Sequence, residues 1–369
     1  MSNSESRSAP SSLVQALVQA RAANESLNEL TLPSRLPAET LAGVFAHLVD
    51  IYPIDLDEGP PIPSSFRVCP VNKRKGLGWL YVTHVCRRWR ATAISEPSLW
   101  TRLPMALGQL WDVFLARAKK APLVISHVFY GVSSPSMDVE RSIRCILQHR
   151  DHIQELDPGS LDATHMLRLV QGLTGPLPHL RRLRLQTYEK DAPLLPLPPS
   201  FMTESAPCIR ELRLSGIAFP WGSGSSTITC FHYEHLHGRH PAAVDRISHS
   251  FSEVVSTLQC MPALKDLKLI GAVPSDAVDH VRVEIQLPQL EELEIVSHGA
   301  SSWHLLALIQ HPSYTHVNVR DTSMGVTGPG HIGSTTASGL PVHPASPSKF
   351  HVRTLDVDFS DPWLIERGL

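Results

Sequence analysis

The 369 residues carry 33 Lys and Arg against 35 Asp and Glu, a formal net charge of −2, with 42% hydrophobic and 18% charged residues. This near-neutral balance argues against a protein that binds nucleic acid or an anionic membrane by charge, and no apolar stretch approaches membrane-spanning length. The length exceeds one compact core and predicts two domains, or a small domain and an extended array, joined by connections that 31 prolines make stiff.

Six cysteines (Cys69, Cys86, Cys145, Cys208, Cys230, Cys260) are scattered without a close pair, and five sit among apolar residues. That pattern favours buried free thiols in a reducing compartment over a disulfide framework or a zinc site. The Ser-rich N-terminus lacks the basic start and apolar run of a signal peptide. The expectation is a soluble protein of the cytoplasm and/or nucleus.

Residues 1–10 read as a disordered polar tail. A helix over 11–31 follows, with Leu13, Leu17, Ala20, Asn24 and Leu27 at three- and four-residue spacing. The stretch 32–101 holds two further amphipathic helices. In the first, Pro37 suits the opening turn, and Leu41, Val44, Phe45 and Leu48 lie at i, i+3, i+4 and i+7. In the second, predicted over 80–93, Val82, Val85, Cys86 and Trp89 repeat that spacing. Between them, 52–76 carries five prolines, an acidic knot and the basic run Lys73-Arg74-Lys75, and reads as a solvated loop insertion. The apolar stripes serve partly as the core of a small bundle, yet so small a unit is short of core and gains from a partner.

Over 102–150 the pattern is of connecting helices. Leu107, Leu110, Trp111, Phe114, Leu115 and Ala118 mark one, Leu123-Val124-Ile125 a short strand, and Val139, Ile143, Ile146 and Leu147 the next helix. From 151 to 369 the chain repeats itself. Pro178-His179-Leu180-Arg181-Arg182-Leu183-Arg184-Leu185 is followed by copies beginning at Pro207, Pro262 and Pro288, all of the form Pro-x-apolar-x-x-Leu-x-apolar. Weaker copies lie at Ile228, Phe231, Tyr233 and at Val352, Leu355, Val357, with Ile153 and Leu156 as a candidate first one. Alternating apolar residues point into a shared core while the charges between them face outward, and the proline stops the preceding helix. Ser250-x-x-Glu253 reads as a capping box opening a helix with Phe251, Val254, Val255 and Leu258 on one face. Strand plus helix at uneven intervals of very roughly 20–30 residues is the signature of an irregular leucine-rich solenoid. A Gly-, Ser-, Thr- and Pro-rich stretch, 321–348, reads as a flexible loop. The fold class expected is α/β: a small all-α module, then a right-handed solenoid with a strand and a helix per repeat.

No catalytic site emerges. Gly328-Pro329-Gly330-His331-Ile332-Gly333 matches the dinucleotide fingerprint but lacks its strand–turn–helix setting. His232, His235, His237 and His240 crowd one segment. His232 flanks a repeat strand and the others lie in its exit loop, which reads as surface and not as a metal site. Nucleophile elbow, phosphate loop and activated cysteine are all missing. The expectation is a protein that is not an enzyme and takes no cofactor or metal.

Leu36-Pro37-x-Glu39-x-Leu41-x-x-Val44-Phe45-x-x-Leu48, then Val82-x-x-Val85-Cys86-Arg87-x-Trp89-Arg90 and Pro97-x-Leu99-Trp100, resembles the F-box. The chain beyond its first ten residues is similar to the F-box proteins of mushroom-forming fungi, with a degenerate leucine-rich region after the motif. The resemblance implies the substrate-recognition subunit of an SCF (cullin–RING) ubiquitin ligase: the F-box docks on a Skp-family adaptor, and through it a cullin, while the repeats hold a target protein. Carried over by position, Leu36, Pro37, Glu39, Leu41, Val44, Phe45, Leu48, Val85, Cys86, Trp89 and Trp100 would meet the adaptor. The insertion at 52–76 and the lack of an asparagine ladder, with Tyr188, Ile217, Ala272 and His298 at its positions, depart from the family pattern.

Candidate target-binding residues are the outward strand positions Arg182, Arg184, Arg213, Lys268, Glu292 and Glu294. Stacked in register, they would give the face a positive and a negative end able to orient a partner; the same residues also read as merely solvated. An F-box scaffold acting outside ubiquitin ligases is the alternative, and an enzyme in the His-rich loop would require bound metal.

Overall fold

A computed structural model describes residues 11–54, 76–126, 139–187, 194–235, 249–274, 283–297 and 301–321. The predicted tail, most of the insertion, His237, His240, the fingerprint-like glycines, the 321–348 loop after its first residue and the strand at 352–357 lie outside them.

The N-terminal third is helical. Helix α1 (Ser11–Leu30) leads through a 3-10 turn to α2 (Ala38–Ile51), which starts where the Pro37 carbonyl accepts the Leu41 amide at 3.0 Å. Its buried side chains are Leu41, Phe45 and Val49, with Leu48 half-buried. This face is rotated from the predicted one, and Val44 is 43% exposed. The single helix expected over 80–93 is instead a 3-10 helix, Gly78–His84, followed by α3 (Arg87–Ser95). Cys86 between them is extended (φ −153°, ψ 169°), which breaks the predicted stripe: Val82 is buried and Val85 57% exposed.

Gly78 explains how the insertion is accommodated. Its φ of +53° is left-handed, and a Cβ there would stand 2.4 Å from the Pro53 carbonyl oxygen, so only glycine fits. The turn brings the Trp79 amide 2.8 Å from the Tyr52 carbonyl, closing the base of the insertion beside the end of α2.

The sheet begins at once. Strand β1 (Arg102–Pro104) is followed by α4 (Trp111–Ala118), β2 (Leu123–Ser126), α5 (Val139–Gln148), β3 (Ile153–Asp157), α6 (Ala163–Gly172) and β4 (Arg182–Thr187). Then come β5 (Glu211–Ser215), β6 (Cys230–Glu234), α7 (Phe251–Gln259), β7 (Asp266–Ile270), β8 (Glu292–Ser297), α8 (Ser301–Leu308) and β9 (His316–Asp321). The nine strands pair in chain order, every pairing parallel, and Ser160–Leu161 joins the end of β4 to make ten. The protein is thus mixed α/β with a parallel sheet. Within 102–150, read as connecting helices around a short strand at 123–125, that strand is present as β2, while β1 and, beyond the repeats, β9 are strands that the sequence pattern did not mark.

Each parallel neighbour needs a crossover, but the described crossovers differ. Helices occupy those before β2, β3, β4, β7 and β9, whereas a five-residue π turn, Phe201–Ser205, precedes β5. A helix in every repeat is therefore not found among the described residues.

The repeat proline has a specific place. Leu180, Ile209, Leu264 and Leu290 donate their amides to Leu177, Ala206, Met261 and Leu287 at 3.1–3.2 Å, spanning Pro178, Pro207, Pro262 and Pro288. Proline thus holds the second position of a tight turn, where its fixed φ is an asset, and at Pro207 and Pro262 it also lies just past the end of a helical segment, Phe201–Ser205 and Phe251–Gln259. The same closure recurs before β6 without proline, Ile228 to Ser225 at 3.2 Å.

Leu183, Leu212, Phe231, Leu267 and Leu293 are aligned across β4 to β8, as are Leu185, Leu214, Tyr233, Leu269 and Ile295, and all are buried. The charged residues alternating with them leave the other face open. One apolar cluster runs from Leu41 to Ile309, so helices and sheet share a core. Trp100 joins the two: it is 1% exposed, donates its indole N–H to the Ala93 carbonyl at 2.7 Å, and packs edge-on to Trp79 (5.0 Å) and Phe114 of α4 (5.1 Å). An Arg102–Asp50 ion pair bridges β1 and α2.

Candidate interaction surfaces

Two surfaces carry the predicted site residues. On the helical segment the eleven positions divide by burial. Leu41, Phe45 and Trp100 are core residues and present no side-chain surface. Leu36, Leu48, Cys86 and Trp89 are half-buried, while Pro37, Glu39, Val44 and Val85 are exposed. The Arg88 guanidinium donates to the Leu36 carbonyl, tying the start of α2 to α3, and Phe45 and Trp89 are in ring contact at 5.2 Å. The exposed apolar set extends to Ile51, Tyr52, Tyr81 and Ile94. Sequence periodicity did not single these out because exposure here depends on how α2, the 3-10 helix and α3 are broken and turned. Helix α1 adds exposed Val14, Leu17, Val18, Leu27 and Leu30.

On the open sheet face the charges form two adjacent rows set by strand register. One row reads Glu155, Arg182, Glu211, Cys230, Asp266, Glu292 and His316 from β3 to β9. The next reads Arg184, Arg213, His232, Lys268, Glu294 and Asn318 from β4 to β9. Strands about 4.8 Å apart let neighbours pair. Arg182 meets Glu155 and Glu211, Arg184 meets Asp157 (3.7 Å), Arg213 meets Glu211 (2.8 Å), and Lys268 meets Glu294 (2.7 Å).

Five of the six candidate target-binding residues are therefore engaged along the sheet. The sixth, Glu292, is exposed in the first row. The expected positive end is offset by Glu155, Asp157 and Glu211, and the acidic end by Lys265 and Lys268, which pair with Glu291 and Glu294. The face presents a finely alternating pattern in place of two opposed ends.

At the centre of this face, His232 Nε2 lies 2.6 Å from Asp266 Oδ2, and the Cys230 thiol donates to the same oxygen at 3.5 Å. Burial alone would raise the Asp266 carboxyl, but the hydrogen bond and charge of His232, helped by Cys230 and Arg213, hold it below the ordinary carboxylate range. Burial, reinforced by the Asp266 charge, pushes the Cys230 thiol up to about 12.

None of the described helices is long and apolar enough to cross a membrane. Comparisons with protein-family models, with curated proteins and with solved structures found no match.

Proposed function

We propose that this chain is the target-recognition subunit of an SCF-type ubiquitin ligase, non-catalytic itself, with residues 32–101 as an F-box and the strands beyond as an irregular leucine-rich solenoid. The adaptor surface in this reading is the apolar fringe of Leu36, Pro37, Val44, Leu48, Val85, Cys86 and Trp89. Leu41, Phe45 and Trp100 act from beneath by holding the fringe in shape. The target lies on the open strand face, and recognition there is by alternating charge and not by one charged end.

The observation that carries the reading is the order of the parts. A helical unit with a solvent-facing apolar fringe shares one core with strands that pair strictly in chain order, and from β3 onward these present polar and charged positions on the open face. That arrangement supports two partner surfaces on one continuous core. Strict sequential pairing is also what stacked repeats produce.

The test is binding of the intact, folded chain to a purified Skp-family adaptor, with Leu36→Ala/Pro37→Ala as the paired variant. A one-to-one complex lost in that variant supports the reading, and no complex with wild type sinks it.

A further inference from the structure

We propose that Cys230, His232 and Asp266 form a binding site for a zinc-class divalent cation on the open face of the sheet. Cys230 and His232 stand two residues apart on β6, so their side chains rise from the same face. Asp266 is the direct neighbour of Cys230 on β7. Sγ, Nε2 and a carboxylate oxygen all lie within 4.8 Å of one another. Among the described residues this is the one group of three such donors that converge. It brings together a cysteine and a histidine that sequence spacing left as a buried thiol and a strand flank.

The donor set selects the cation. One thiolate, one imidazole and one carboxylate suit zinc in preference to magnesium or calcium. Zinc bonds of about 2.0–2.3 Å set tetrahedral donors about 3.3–3.6 Å apart. The Cys230–Asp266 separation of 3.5 Å already fits, while His232, at 2.6 Å from the same Asp266 oxygen, must move apart from it to admit the ion. Three protein donors leave a fourth position toward solvent, on the face where a partner could supply it.

The surrounding charge also suits a cation. Cys230 sits in register between Glu211 and Asp266, and these carboxylates oppose ionisation of the thiol. A divalent cation relieves that repulsion: the Cys230 S–H bond breaks, the proton leaves to solvent, and the sulfur electron pair binds the metal. Arg213 lies 3.8 Å from the sulfur but is held by Glu211, and Lys268, beside His232, is held by Glu294. Because the thiol proton is released on binding, apparent affinity rises with pH.

The experiment is titration of the full-length, metal-free protein with cobalt(II) chloride under reducing conditions. Expected are a thiolate-to-cobalt charge-transfer band saturating at one equivalent and displacement by zinc(II). Apparent affinity should fall at least about 10-fold in His232→Ala and in Asp266→Asn, and the band should vanish in Cys230→Ser but persist in Cys208→Ser. Alkylation of wild type with and without zinc(II), with Cys230 mapped by mass spectrometry, gives a readout independent of variant folding: zinc should protect Cys230. Absence of a thiolate band, a band that survives Cys230→Ser, or unprotected Cys230 at saturating zinc would each overturn the proposal. This test needs no adaptor or target, so its outcome is separate from the ligase reading.

Discussion

Arg182 and Glu211 pair across β4 and β5 at 2.9 Å while Arg182 also reaches back to Glu155 on β3 at 3.0 Å. One guanidinium thus spans three strands, and what looks in sequence like the basic end of an array is neutralised where it stands. The charges record strand register as much as they advertise a partner.

Arg182→Ala should cost less than about 1 kcal/mol in a urea titration, because all three groups are at least partly solvated and exposed pairs contribute little. A loss of several kcal/mol would mean that the ladder holds the sheet together and is not available to a partner.

Trp100→Phe removes the indole donor and leaves the Ala93 carbonyl without its partner in the core, which should cost about 1–3 kcal/mol; Trp100→Ala should cost about 3–5 kcal/mol. Val85→Ser, on the exposed fringe, should leave stability within about 0.5 kcal/mol. Chemical denaturation of the three variants separates core from surface.

Gly271 follows β7 with φ +61° and donates its amide to the Val296 carbonyl on β8 at 2.7 Å, so the left-handed turn continues the ladder. Gly271→Ala should destabilise by about 1–2 kcal/mol. Gly43 in α2 has open space where a Cβ would be, and Gly43→Ala should stabilise by up to about 1 kcal/mol. Opposite shifts in thermal midpoint are expected.

The depressed Asp266 carboxyl has a definite pH sign. A carboxylate whose folded value is lowered stabilises above its unfolded value, near about pH 4, and that contribution is lost as pH falls through the lower folded value. In metal-free buffer, wild type should lose more stability between neutral pH and pH 3 than Asp266→Asn does. Equal acid slopes would show that the His232 contact contributes nothing.

Much of this architecture was legible because it is written in short-range alternation. Leu183 and Leu185, with their counterparts at 212 and 214, 267 and 269, and 293 and 295, mark strands whose register follows from burying one face. The capping box at Ser250 and Glu253 is present as read. Other features depend on partners distant in the chain. Strand β1 is three residues long and β9 reads His-Val-Asn-Val-Arg-Asp, so neither carries a leucine signature. The break at Cys86 is a backbone choice that a helical stripe conceals. The small helical unit is also not short of core: Trp100 and Phe114 carry its interior into the sheet, which removes stability as an argument for a partner there. The convergence of Cys230, His232 and Asp266 spans 36 residues of chain and exists only once β6 and β7 pair.

The fringe at Leu36, Pro37, Val44 and Val85 is the proposed docking surface for a Skp-family adaptor. Isothermal titration of the full chain with purified adaptor tests it most directly, with thermal unfolding recorded on the same samples. A one-to-one complex is expected for wild type, with at least about a 10-fold loss, or 1.4 kcal/mol, for Leu36→Ala/Pro37→Ala and for Val85→Asp while the variants remain folded. A folded wild-type chain that gives no binding heat and no co-elution, or variants that bind as wild type does, would contradict it.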